Sequence, residues 1–235
     1  MALAAHLAEV AQGKIALTVQ IFVAFKFKWR ANKMALKIAY LVFSYLCGAI
    51  PFAYIFTKIF AGVDIRTVGS GNPGTTNVFR AAGKGAGIAV FLFDAAKGFI
   101  PVYFASFADN GFIFAAIVAL AAMFGHIYTV FLNFKGGKGV ATGFGIFLAL
   151  MPEPTLCAFG VFILVFLSLG YVSLGSMCSA SSLPIAAYFF GYSKEPIIFA
   201  AFIALFIIYK HKSNIKRLID GNENRFNIFR NRGKK

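Results

Sequence analysis

Seven apolar stretches separated by short polar gaps constrain this chain more than any other feature. They lie near residues 38–60, 86–107, 112–132, 139–152, 154–170, 177–192 and 196–210. Several approach the ~18–20 residues with which a helix crosses the hydrocarbon of a bilayer. Inside that layer the backbone finds no water, so a spanning segment must satisfy its own hydrogen bonds. Of the 235 residues, 60% are hydrophobic and 30 are Phe, against roughly 45–50% apolar in soluble domains. The expectation is an all-α integral membrane protein of about seven transmembrane helices joined by short loops. Pro51, Pro101 and Pro184 fall inside apolar segments, which membrane helices tolerate, whereas Pro152, Pro154 and Pro196 are expected to mark turns. No internal repeat and no second domain is visible.

Charge supports the same reading. The formal net charge is +15. In a soluble protein that balance suggests nucleic acid, but here the positive-inside rule explains most of it, and no nucleic-acid partner is expected. Alternation of sides puts Lys58, Arg66, Arg80, Lys84, Lys135, Lys138 and the cations from Lys210 onward on one face, with the C-terminus. The opposite turns carry Asp109, Glu153, Lys194 and Glu195. The basic face is therefore expected to be cytoplasmic. Residues 1–33 do not fit, because Lys26, Lys28, Arg30 and Lys33 precede the first span. Either Met34 is the true start or 1–33 is a dispensable interfacial helix. The expected organisation is an N-terminal extension 1–33, a helical domain 34–225 and a basic tail 226–235. Cys47, Cys157 and Cys178 each stand alone and read as packed thiols, not metal ligands.

Four polar motifs fall on the basic face. The first is Gly69-Ser70-Gly71-Asn72-Pro73-Gly74-Thr75-Thr76-Asn77, followed by Arg80. Glycines let backbone N–H groups approach an anion, hydroxyls and amides add donors, and Arg80 offers bidentate phosphate contacts. A phosphate cradle and a plain glycine turn beside a positive-inside arginine both fit. The second runs from Gly125-His126-Ile127-Tyr128 to Phe134-Lys135-Gly136-Gly137-Lys138-Gly139. Two ammonium groups, glycine backbone and a following helix N-terminus favour a phosphate. His126, about two to three turns before Lys138, is either a ligand of that site or a histidine bonded to a neighbouring helix. The third is Tyr171-Val172-Ser173-Leu174-Gly175-Ser176. The fourth is His211-Lys212-Ser213-Asn214-Ile215-Lys216-Arg217-Leu218, then Gly221-Asn222-Glu223. His211, Asn214 and Leu218 share a helical face there, on what reads from charge alone as a cationic helix lying on anionic lipid. Asp94 and Lys97, at i and i+3 inside an apolar run, read as a structural ion pair.

Taken together, GSGNPGTTNVFR, GHIYTVFLNFKGGKGVAT, YVSLGS, HKSNIKRL and GNEN resemble the bacterial acyl-phosphate:glycerol-3-phosphate acyltransferases known as PlsY, over roughly Met34 to Arg225. The resemblance implies a seven-helix enzyme of the bacterial cytoplasmic (inner) membrane, multi-pass, with C-terminus and active site cytoplasmic. Its implied reaction moves a fatty acyl group from acyl phosphate to the sn-1 hydroxyl of glycerol 3-phosphate. Lysophosphatidic acid and phosphate result, the first step of phospholipid synthesis, with no cofactor and no metal. It further implies catalytic roles for Ser70, Arg80, His126, Lys138, His211 and Asn214. Substrate contacts are implied at Gly69, Gly71, Asn72, Gly74, Thr76, Asn77, Lys135, Gly136, Gly137, Ser173, Ser176 and Glu223. Membrane lipid is an implied partner, and there is room for a functional link to an acyl-phosphate-forming enzyme. Thr129 stands where the family usually has proline, and Gly170 where it often has a basic residue.

No nucleophile–base–acid triad appears. Acyl phosphate is already activated, so direct attack suffices, with a substrate phosphate oxygen taking the hydroxyl proton. His126 or His211 as general base is the competing choice. A transporter or exchanger of phosphorylated solutes would also need cations near helices. Transporters, however, place them near the midplane, often within repeats. A membrane scaffold would leave the glycine loops idle.

Overall fold

The computed structural model describes residues 33–108 and 111–226. Contacts divide the chain into Met1–Leu41 and Val42–Lys235. Of the first unit, only the opening turns of helix α1 are described, so the expectations for the N-terminal extension lie almost wholly outside the described residues. Those for the tail beyond Phe226 lie outside them too. The helices are α1 Lys33–Ala49, α2 Phe52–Ala61, α3 Thr75–Ala108, α4 Phe112–Ile127, α5 Val140–Leu150, α6 Pro152–Leu169, α7 Val172–Phe189, α8 Lys194–Lys210 and α9 Lys212–Ile219. A 3₁₀ turn at Val130–Leu132 follows α4, and no strand occurs among the described residues.

Each apolar run has become a helix or a helix pair. Five spans are long and apolar enough to cross a membrane, counting α1 and α2 together, and six if α8 and α9, bent by 60°, form one broken span. Helix α5 has 11 residues. At 1.5 Å per residue it rises only ~16 Å, about half the hydrocarbon thickness. Seven apolar segments therefore do not by length alone make seven crossings.

Several boundaries differ from expectation for local reasons. The first span breaks at Pro51, which lacks the N–H that would continue the ladder. Pro152, Pro154 and Pro196 do not mark turns. They lie in the first turns of α6 and α8, where the missing N–H has no intrahelical partner in any case. Helix α3 starts at Thr75, inside the polar motif, and is interrupted at Gly83, whose φ of 86° and ψ of 179° are not helical. Arg80 thus rides on a short arm that precedes the apolar helix.

Close helix approach depends on missing side chains. A Cβ at Gly145 of α5 would run into the carbonyl of Ala95 on α3, and one at Gly98 of α3 into the carbonyl of Thr142 on α5. Helix α1 is tied to α4 by Ser44 Oγ, which donates to the Val118 carbonyl at 2.9 Å. Gly145→Val should therefore destabilise the bundle by about 1–3 kcal/mol, since a backbone carbonyl cannot repack. Thermal unfolding in detergent checks this, and an unchanged midpoint would contradict the close α3–α5 contact.

Candidate active site

The first polar loop is shaped from below by Asn77, in the opening turn of α3. Its Nδ2 donates to the carbonyls of Ile65 (3.2 Å) and Val68 (3.0 Å), and its Oδ1 accepts the Ser70 N–H at 3.1 Å. Gly69 and Gly71 sit at φ 58° and 66°, a left-handed conformation that favours glycine. At Gly69 a Cβ would also strike Asn77 Oδ1. The loop thereby presents Ser70 beside the start of α3, where Gly74, Thr75 and Thr76 line a cavity and the helix end favours an anion.

The second loop folds back on the helix that precedes it. Gly136 N–H donates to the Ile127 carbonyl (2.9 Å) and Gly137 N–H to that of His126 (3.2 Å). His126 ends α4 and Lys138 precedes α5, on the two sides of a loop at the join of two apolar runs. The chain reverses between them and sets Gly137 against the imidazole, where a Cβ would meet His126 Nε2. Thr129, in the position where proline was expected, holds φ −67°, a value proline also adopts. Its hydroxyl donates to the Ala49 carbonyl at 2.6 Å, closing the break between α1 and α2.

The third and fourth motifs meet through one carboxylate. Glu223 Oε1 accepts from Ser173 Oγ and Asn214 Nδ2, each at 2.7 Å, and Oε2 accepts from Arg217 Nε at 2.7 Å. Burial alone would raise this carboxyl. Those three donors outweigh it and hold the group below its ordinary range. Asn214 then accepts from Lys138 Nζ, joining the second loop to the C-terminal segment. Burial, followed by the repulsion of Arg217, lowers the Lys138 ammonium to about 8, against the attraction of Glu223. His211 is buried, with Nδ1 2.8 Å from the Ile207 carbonyl. That contact assigns the ring proton to Nδ1 and leaves Nε2 as an acceptor.

All four motifs border one cavity of about 210 Å³. Ser70, Arg80, His126, Lys138, Ser173, Ser176, His211, Asn214 and Glu223 line its polar part, with Asn72, Gly74, Thr76 and Asn77. Phe144, Phe147, Ala158, Phe159, Leu183, Ala200 and Ile203 line its apolar part. Gly69, Gly71, Lys135, Gly136 and Gly137, expected as substrate contacts, do not line it. The glycines shape the loops, and Lys135 is exposed. The sequence reading missed Thr75, Asp94 and Arg217 as lining residues. Thr75 Oγ is buried with no partner among the described residues, and its place beside Thr76 in the glycine motif was the available signal. Arg217 was read as a lipid-facing cation. No group of three or more His, Cys, Asp or Glu side chains is placed to hold a metal among the described residues.

Fold and cavity together define a multi-span helical membrane protein with a chamber that is cationic at one end and apolar at the other. The sequence matches the profile of the family described as glycerol-3-phosphate acyltransferase over residues 38–221. It is 57% identical over 197 residues to the glycerol-3-phosphate acyltransferase of Endomicrobium trichonymphae, covering 84% of this chain and 99% of that one. The fold is similar to the crystal structure of PlsY (YgiH), an integral membrane glycerol 3-phosphate acyltransferase, in its glycerol 3-phosphate form. The TM-score is 0.76 at 43% identity, over 81% of this chain and 95% of that one. The lysophosphatidic acid form of that protein matches at a TM-score of 0.75 and 42% identity, with the same coverage. The chain belongs to the glycerol-3-phosphate acyltransferase family, and it is an enzyme.

Proposed function

We propose that this acyltransferase takes its acyl group from acyl phosphate and delivers it to the sn-1 hydroxyl of glycerol 3-phosphate at the cytoplasmic face of a bacterial inner membrane. One observation carries the reading. A single cavity joins Ser70, Arg80, Lys138 and Asn214 at one end to Phe144, Phe159, Leu183 and Ile203 at the other. A fatty acyl phosphate has the same two halves. The relatives named above supply the acceptor, since one solved form carries glycerol 3-phosphate and the other lysophosphatidic acid.

In this reading Ser70, Thr75 and the first turn of α3, closed by Arg80, receive the donor phosphate, and Lys138, steadied by Asn214, holds the phosphate of the acceptor. Holding two dianions side by side requires several fixed cations and donors, and the same groups stabilise the charge that develops on the attacked carbonyl. The sn-1 oxygen attacks the acyl carbon, the bond from that carbon to the phosphate oxygen breaks, and its electron pair leaves with phosphate. The hydroxyl proton passes to a phosphate oxygen. Glu223 is not the base, because its lone pairs face three donors. Direct transfer predicts no burst of phosphate and no acyl-Ser70, and a trapped acyl-serine would overturn it.

The deciding experiment supplies purified protein with palmitoyl phosphate and labelled glycerol 3-phosphate, without coenzyme A. Labelled lysophosphatidic acid is expected. Its absence, with uptake of the label into proteoliposomes, would favour an exchanger instead.

A further inference from the structure

A buried charge cluster stands behind the cavity that the mechanism above does not use. Asp94 and Lys97 of α3 are 2% and 7% exposed. Lys97 Nζ lies 2.6 Å from Asp94 Oδ1 and donates to the Ile50 carbonyl at 2.9 Å, at the break between α1 and α2. Burying such a pair costs several kcal/mol of desolvation, and apolar residues of like volume often do as well or better. Stability alone therefore gives little reason for it at this depth. Two observations point to a task. The His126 Nδ1 lies 3.8 Å from Asp94 Oδ1, the oxygen that Lys97 engages, too far for a direct bond. A small separate void of about 10 Å³, bordered by Asp94, Lys97, His126 and Thr129, adjoins the pair. That is about the space of one water in a polar setting.

We propose that Asp94 is a positioning residue for acyl transfer: held by Lys97, its carboxylate takes the Nδ1–H of His126 through one water in this void and so fixes the imidazole against Gly137. The bridge sets one tautomer, with Nε2 directed at the second glycine loop. The ring then acts as the stop against which Gly137 packs, and it holds the backbone that delivers Lys138 to the cavity. Asp94 and His126 both border that cavity as well, so a displaced ring would disturb the anion site directly. This assignment rests on the functional reading above for its kinetic test but not for its spectroscopic one.

The test compares Asp94→Leu/Lys97→Met, which removes both charges and the accepting oxygen and leaves no charge unpaired, with His126→Gln and with the triple variant. The paired change is expected to lower kcat/KM by about tenfold to a hundredfold, the scale on which a small misplacement of a positioned group acts. In the His126→Gln background it should lower it less than about twofold, because the two act as one unit. Equal losses in both backgrounds, or full activity of the paired variant, would overturn the proposal. Independently of activity, nitrogen NMR of labelled histidine in wild-type protein should show His126 protonated at Nδ1, and the paired variant should lose that state. An unchanged His126 signal would refute the bridge even if the protein proved to catalyse another reaction.

Discussion

Exchanging Lys138 for methionine is expected to lower kcat/KM for glycerol 3-phosphate by about 10³-fold, the scale on which a preorganised charge acts in a partly desolvated site. Methionine keeps the unbranched stem, so packing changes little and the charge is what is lost. The ammonium ends a chain of charge-assisted bonds that runs through Asn214 and Glu223 to Arg217 and Ser173. Those partners hold it in place before substrate arrives. Its lowered value of about 8 adds a signature in pH. An anion requires the protonated amine, which is present below pH 8 and lost as pH rises through it. The KM for glycerol 3-phosphate should then climb by about tenfold per pH unit above that point. The substrate does not confound this, because a phosphate monoester has its second pKa near 6 and is already dianionic there. Lys138→Arg, whose guanidinium does not titrate in this range, should abolish the alkaline rise even if its turnover is poor. A wild-type KM that stays flat through pH 8 would remove Lys138 from the acceptor site.

Much of this architecture could be read from the chain because its determinants are local. Twenty apolar residues in a row leave few options for the backbone, and glycine with hydroxyl and amide neighbours marks a loop wherever it falls. The joins between motifs were harder to read. Lys138 and Asn214 are 76 positions apart and Ser173 and Glu223 are 50 apart, and no periodicity links residues at such separations. Glu223 was legible only as part of the GNEN patch, and nothing in its neighbours announced the three donors it accepts from. Arg217 looked like one more lipid-facing cation because charge says nothing about direction. A turn between His126 and Lys138 was legible as the join of two apolar runs, but its path was not, because glycine pairs permit many and the one taken depends on carbonyls at the end of α4. The ion pair of Asp94 and Lys97 was legible from the cost of burying charge, but the void beside His126 was not. Helix α5 shows where length stops deciding, since the apolar run at 139–152 supplies a helix of only 11 residues.

Filling the apolar end of the cavity should make the enzyme selective against long acyl chains. Helix geometry gives the depth. From Ser173, bonded to Glu223, to Leu183 along α7 is ~15 Å at 1.5 Å per residue, close to half of the ~30 Å hydrocarbon layer and so to one acyl chain. The deep lining residues Phe147, Ala158, Leu183, Ala200 and Ile203 are all buried among the helices. A phenylalanine in place of Ala158 would occupy the last few methylene positions. Each methylene excluded forfeits about 0.8 kcal/mol, so three or four amount to ~3 kcal/mol, or about 10²-fold in kcat/KM. Palmitoyl phosphate should suffer that loss, while octanoyl phosphate, ending short of the block, should change less than about twofold. Leu183→Ala should act in the other direction by deepening the chamber. Equal losses for both donors would mean that Ala158→Phe damages the fold. No loss for either would mean that the tail stays in the surrounding lipid and that the apolar chamber serves another purpose. The two-chain comparison separates these cases because the head-group contacts are common to both donors and only the length of the tail differs.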